Sequence, residues 1–146
     1  MTLPPGWTDT SMTNKEVISL YKSIPVLDDN GKKMAAILQI RQRFINSTFQ
    51  TLGELPDDKV ETIKDNFIKY SWDNIRVKTG ISVEGNVRGI GHHKVIWIIE
   101  SGKFRVINAT LVEKGVMWDF RVAIPKDYFE TMTSELEQLI NSLTML

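Results

Sequence analysis

The chain has 146 residues, enough to bury one core of its own, and its 42% hydrophobic and 25% charged content is that of an ordinary soluble globular domain. Eighteen basic side chains balance eighteen acidic ones, so there is no basic excess of the kind that draws a protein to nucleic acid or an anionic membrane. Cysteine is missing altogether, which excludes disulfides, thiolate nucleophiles and cysteine-ligated zinc or iron–sulfur centres.

Residues 1–14 read as an irregular lead-in, with prolines, a glycine and many hydroxyl side chains. Met1 to Trp7 has neither the basic start nor the apolar segment of a signal peptide. A chain cut just after a signal or lipid-anchor segment would begin in this way. Two compartments therefore fit: an extracytoplasmic lipoprotein domain whose signal segment has been removed, or the cytoplasm. No apolar run reaches the roughly 18 residues of a membrane span. Trp7 is read as a pin that holds the lead-in to the domain surface, with a partner anchor as the alternative.

Residues 15–146 read as a single α+β domain. Glu16 to Ile24 is apolar enough for a strand and is expected to end at Pro25. Asp28-Asp-Asn-Gly31 suits a tight turn, its Asn-Gly pair tolerating positive φ. A second strand starts near Lys33. Met34, Ala36, Leu38 and Ile40 fall on one face; Ala35, Ile37, Gln39, Arg41 and Arg43 fall on the other. That second face turns from apolar to basic along its length, as if the strand ran out from under a covering helix.

From Asp57 a helix is expected, with acids in its first turn and Val60, Ile63, Phe67 and Tyr70 on one stripe. Ile75 to Glu84 then alternates apolar with polar residues and reads as a strand with one wet face. Val95 to Ile99 is apolar on both faces, as a fully buried strand is. Phe104 to Val112 and Val116 to Ile124 follow across Ser101-Gly102 and Lys114-Gly115, both suited to hairpin turns. Pro125 ends the run. A last amphipathic helix spans about Asp127 to Ser142, with Phe129, Met132, Leu136, Leu139, Ile140 and Leu143 on its apolar side. The fold class is thus α+β, an antiparallel sheet of five to seven strands flanked by helices in the order β-β-α-β-β-β-α.

No motif forces a chemistry. His92 and His93 are neighbours, so on a strand they point to opposite faces, and no acid close in sequence completes a ligand set; no metal site is expected. Gly89-Ile-Gly91 lacks the third glycine and the following helix of a phosphate loop. Ser101 is a turn residue without a nucleophile elbow. Asp28, Asp29, Asp57 and Asp58 are explained by turn and helix-cap chemistry. Asp119 is expected to pair with Arg105 or Arg121. Arg41, Arg43, Arg76 and Lys78 would gather on one open sheet face if their strands adjoin, a patch suited to an acidic partner; the plainer reading is a solvated face balanced by Glu84 and Asp119. Trp97 and Trp118 read as core. Trp72, just past the first helix, would line a groove between helix and sheet.

Leu3-Pro-Pro-Gly-Trp7, the helix from Asp57, Gly102-Lys-Phe-Arg-Val106 and Val116-Met-Trp-Asp-Phe120 leading to a closing helix together resemble the PsbP/Mog1/DcrB-like superfamily, as an order of elements over nearly the whole chain. The resemblance implies an α/β/α sandwich and binding without catalysis. Members serve as photosystem II accessory subunits, partners of the Ran GTPase, envelope lipoproteins and secretion chaperones. A helix-grip domain, carrying an apolar ligand under its long last helix, is the alternative, but two strands rather than one precede the first helix here. The expectation is a non-catalytic module that binds another protein, without cofactor, metal or nucleic acid, through a groove including Trp7, Trp72, Arg41, Arg43 and Arg76.

Overall fold

In the computed structural model, residues 6–9, 17–45, 51–79, 82–102 and 104–142 are described, with the side chains of 70–79 left out. One antiparallel sheet of seven strands organises them. The strands are β1 (Thr8–Asp9), β2 (Val17–Leu27), β3 (Lys33–Phe44), β4 (Ser82–Ile90), β5 (His93–Ser101), β6 (Arg105–Glu113) and β7 (Val116–Ile124), with helix α1 (Asp57–Thr79) between β3 and β4 and helix α2 (Phe129–Asn141) last. Across the sheet the order is β1-β2-β3-β7-β6-β5-β4. Two meanders, β1 to β3 and β4 to β7, are thus joined by pairing of β3 with β7.

The turns follow from their residues. Lys114 and Gly115 both adopt positive φ (50° and 79°), as a two-residue hairpin turn between β6 and β7 requires. Asp28 folds the β2–β3 turn by accepting hydrogen bonds from the backbone N–H groups of Asn30 and Lys32 at 2.8 and 2.9 Å. Pro25 does not end β2 as its sequence suggested. It falls within a register irregularity between Ser23 and Leu27, where a missing N–H breaks no regular ladder.

Each face of the sheet has its own core. On one, residues of β2 to β7 form a single cluster with Phe129, Met132, Leu136, Leu139 and Ile140 of α2, as happens when a twisted sheet curls about a helix. Trp97 and Phe120 are its largest fully buried side chains. Trp7 belongs to this cluster, so the lead-in is pinned as expected. The stem of Lys22 lies against Gly6, and its ammonium sits near the rings of Trp7 and Tyr128 and pairs with Glu135 of α2. Burial pulls the Lys22 pKa down, but Glu135 and Tyr128 outweigh it and leave the group above its usual range. Leu143 lies outside the described residues.

On the opposite face a smaller cluster gathers Leu52, Val60, Ile96, Ile98 and Val112, with Ile63, Phe67 and Ile68 of α1 packed on it. Here α1 lies over β4 and β5. Lys94 of β5 ties down its start, donating to Leu55 O at 2.9 Å and Asp57 Oδ1 at 2.7 Å. That hydrogen bond and charge hold the Asp57 carboxyl below its usual range. The strand expected over Ile75 to Glu84 does not begin at Ile75; β4 starts at Ser82. Helix α1 continues to Thr79, because no glycine or proline stands between Asp57 and Gly80 and an established helix propagates until a breaker stops it.

Deleting the side chain at the centre of the larger core tests the arrangement. Leu136→Ala, at a fully buried position, should lower unfolding free energy by about 3 kcal/mol in urea titrations. Ser134→Ala, on the exposed side of α2, should leave it within about 0.5 kcal/mol.

Candidate functional site

A single helix is about 10 Å across, whereas six inter-strand spacings span about 29 Å, so α1 cannot cover its whole face of the sheet. Among the described residues, the part it leaves bare is made by β2, β3 and β7, with β6, whose Thr110 and Val112 are buried on this face, at the α1 margin. Along β3 the burial alternates without error from Ala36 to Arg41: Ala36, Leu38 and Ile40 are buried, while Ile37, Gln39 and Arg41 are exposed. The rising basicity of this face therefore does not mark a strand emerging from under a helix, because among the described residues the helix on this face, α1, packs on β4 and β5 rather than on β3. Asymmetric cover is set by α1 standing over β4 and β5.

Strand register sets side chains beside one another on the bare half. Gln39 is opposite Arg121, and Arg41 is opposite Asp119. On the far side of β7, Arg121 is opposite Asn108 and Asp119 opposite Thr110. These residues, with Arg43 and with Phe67 at the α1 margin, line a recess of about 300 Å³. Asp119 Oδ1 accepts a hydrogen bond from Thr110 Oγ1 at 2.8 Å, and Asp119 Oδ2 lies 3.5 Å from Arg43 Nη2. Both carboxylate oxygens are thereby engaged. Among the described residues Arg121 donates a hydrogen bond to Asn108 Oδ1, at a long 3.5 Å, and its charge acts on the buried Glu100 carboxyl of β5. Arg41 has no ion-pair partner among the described residues. Asn108 Nδ2 is buried without a hydrogen-bond acceptor, which adds an unused donor to the floor. Three guanidinium groups thus meet one carboxylate within a chain that is neutral as a whole.

Of the residues read from sequence as a groove, Arg41 and Arg43 stand together here. Trp7 does not join them; it is in the core on the opposite face. Trp72 and Arg76 belong to α1 rather than to a loop and a strand, and their side chains lie outside the described residues. Lys78 falls within the same stretch. Asp119 pairs with Arg43, not with Arg105 or Arg121. Arg105 points to the other face, its guanidinium 4.5 Å from the Phe129 ring. Arg121 and Thr110 were missed as members of the site. Their alternation with the core residues Val122 and Leu111 put them on the outer face, but only the β3–β7 pairing shows that this face adjoins Arg41.

The histidines separate as neighbouring positions predict. His92 is exposed in the β4–β5 turn, and His93 is buried at the start of β5. His93 Nδ1 lies 2.9 Å from Glu113 Oε1, across the β5–β6 pair, with the two side chains 2% and 13% exposed. The carboxylate that satisfies His93 is therefore close in space and distant in sequence. Among the described residues no group of three or more His, Asp and Glu could hold a metal ion. Among the same residues no helix is long and apolar enough to cross a membrane.

No family model matches this chain, and no curated protein matches it.

Glu100 of β5 is buried beside the recess; burial raises its pKa, and the charge of Arg121 offsets this only in part. A carboxyl raised in the folded state binds its proton more tightly there than in the unfolded chain. Stability then falls as pH rises from the ordinary glutamate value of 4.5 toward the folded value. Glu100→Gln should match the wild type in urea midpoint near about pH 3.5 and exceed it near about pH 7.5. Equal midpoints at both pH values would show that the carboxyl is not destabilised by burial.

Proposed function

We propose that this protein is a non-catalytic binding module that docks an acidic segment of a partner protein on the bare half of its sheet. The observation that carries this reading is the recess lined by three guanidinium groups, Arg41, Arg43 and Arg121, and one carboxylate, Asp119, already committed to Thr110 and Arg43. Among the described residues Arg41 has no ion pair, and Arg121 has only the charge of the buried Glu100 nearby. Charges placed in a partly enclosed recess attract an opposite charge more strongly than the same charges on an open convex surface. The Asn108 donor favours the same kind of occupant, one that brings acceptors. The PsbP/Mog1/DcrB-like resemblance supports the reading too, since helices on opposite faces of an antiparallel sheet suit the sandwich it implies, and its members bind proteins. An apolar-ligand carrier is less well supported. Met132, Leu136 and Ile140 of α2 are fully buried on the sheet, where such a ligand would have to lie.

The test uses a short oligoglutamate peptide, titrated calorimetrically at about 50 mM salt, where screening is weak. Binding should weaken as salt is raised, and by about fivefold in the Arg41→Ala/Arg121→Ala variant, as expected for the loss of two partly exposed ion pairs. An oligolysine peptide should not bind. No binding of oligoglutamate at low salt, or equal binding by the double variant, would reject the reading.

A further inference from the structure

The bare strip is amphipathic along its length. On β3, Arg43 and Arg41 give way to Gln39, then to Ile37 and Ala35. On β7 alongside, Asp119 and Arg121 give way to Ala123, and Tyr21 of β2 stands beside Ile37. Ile37, Tyr21 and Phe104 remain 53%, 43% and 40% exposed and stand together at this end. Ala35, Ile37, Phe104, Ala123 and Pro125 border a second recess of about 280 Å³ at this end.

The dimensions of the strip limit what can fill it. From β2 across β3 to β7 is two inter-strand spacings, about 10 Å, which is the diameter of one helix. Phe67 of α1 borders the strip, so a second helix laid there would stand beside α1 in the same layer. Beneath it, β3 and β7 have both edges paired and offer no free backbone groups to an incoming chain. An extended segment would arrive with its own N–H and C=O groups unmatched, whereas a helix satisfies them internally. A second copy of this chain meets the strip poorly if it presents the same strip, since it brings guanidiniums rather than carboxylates.

We infer that the strip receives one amphipathic helix of a partner protein, with carboxylates at one end over Arg41 and Arg121 and apolar side chains over Ile37 and Ala123. The inference rests on the acidic-partner reading and specifies the form of that partner. Arg41 and Ile37 are four residues apart on one strand, about 13 Å, which corresponds to about nine residues of helix. The acidic turn and the apolar anchor of the partner are therefore spaced by two to three turns.

The experiment selects displayed random peptides of about 16 residues, long enough for about 24 Å of helix. Binders are enriched on the wild type and depleted on the Arg41→Glu/Arg121→Glu variant, whose exposed positions leave the circular dichroism spectrum unchanged. Expected winners carry Asp or Glu near one end and apolar residues at helical spacing near the other, gain helicity on binding, and lose about tenfold or more in affinity to Ile37→Asp. Acidic winners rich in proline, or unaffected by Ile37→Asp, would overturn the helix while leaving the acidic-partner reading intact. Winners without acidic residues, or no enrichment that depends on the two arginines, would overturn both. Concentration-dependent dimerisation that the double variant abolishes would make a second copy the occupant and overturn the inference.

Discussion

The antiparallel pairing of β3 with β7 is the constraint on which the rest of the molecule depends. Ile37 to Phe44 run beside Val116 to Ala123 in uninterrupted register. Without this ladder the chain would hold two separate meanders, each ending in an unpaired strand edge. With it, β2 and β3 extend the sheet far enough for α2 to be enclosed by apolar residues from six strands. Because the partners are distant in sequence, the ladder forms only after much of the chain has been synthesised and its loop-closure entropy overcome.

The same ladder gives the two faces different characters. Ala36, Leu38, Ile40, Phe120, Val122 and Ile124 go to the α2 core, and Ile37, Gln39, Arg41, Asp119 and Arg121 go to the other face, where the α1-side cluster reaches no further than Val112 of β6 and Met117 and Ile45 beside it. Lys94 fixes that lateral position by holding Leu55 and Asp57 at the start of α1. Gly85 permits it, since a Cβ there would lie 3.0 Å from the end of Ile68 and 3.3 Å from Ile98. The helix is seated closely on one half of the sheet, and the other half keeps its arginines in water. The docking role we propose depends on this incomplete cover, because the exposed strip retains the charge and apolar surface that a full layer would have hidden.

Much of the fold could be read from local pattern. β5, with both faces apolar, is the buried strand that its composition indicates, and the β6–β7 turn at Lys114-Gly115 has the geometry that its residues favour. The apolar stripe of α2 from Phe129 to Ile140 packs as a single face. Local pattern failed between Ile75 and Thr79, where period-two alternation suggested a strand but the helix had met no breaker. It also failed for pairs made across the sheet. His93 finds Glu113, and Asp119 finds Thr110 and Arg43, through strand registers that no short-range spacing contains. Arg41 and Arg43 were recognisable as a basic edge of β3. Their meeting with Arg121 was not, because it depends on which strand closes the gap between the two meanders.

Thiol labelling gives the most direct measurement of whether half of one sheet face is bare, since the natural chain contains no cysteine and every introduced thiol reports a single position. Single cysteines placed at Gln39, Arg41 and Ala123 on the strip should react in the native state nearly as fast as in an unfolded peptide. Cysteines at Ile96 and Ile98, beneath α1, and at Leu38 and Ile40, in the α2 core, should be protected to the extent set by opening of the fold. Protection at Gln39 and Arg41 equal to that at Ile96 and Ile98 would mean that the strip is covered by the protein itself, contradicting a docking face there.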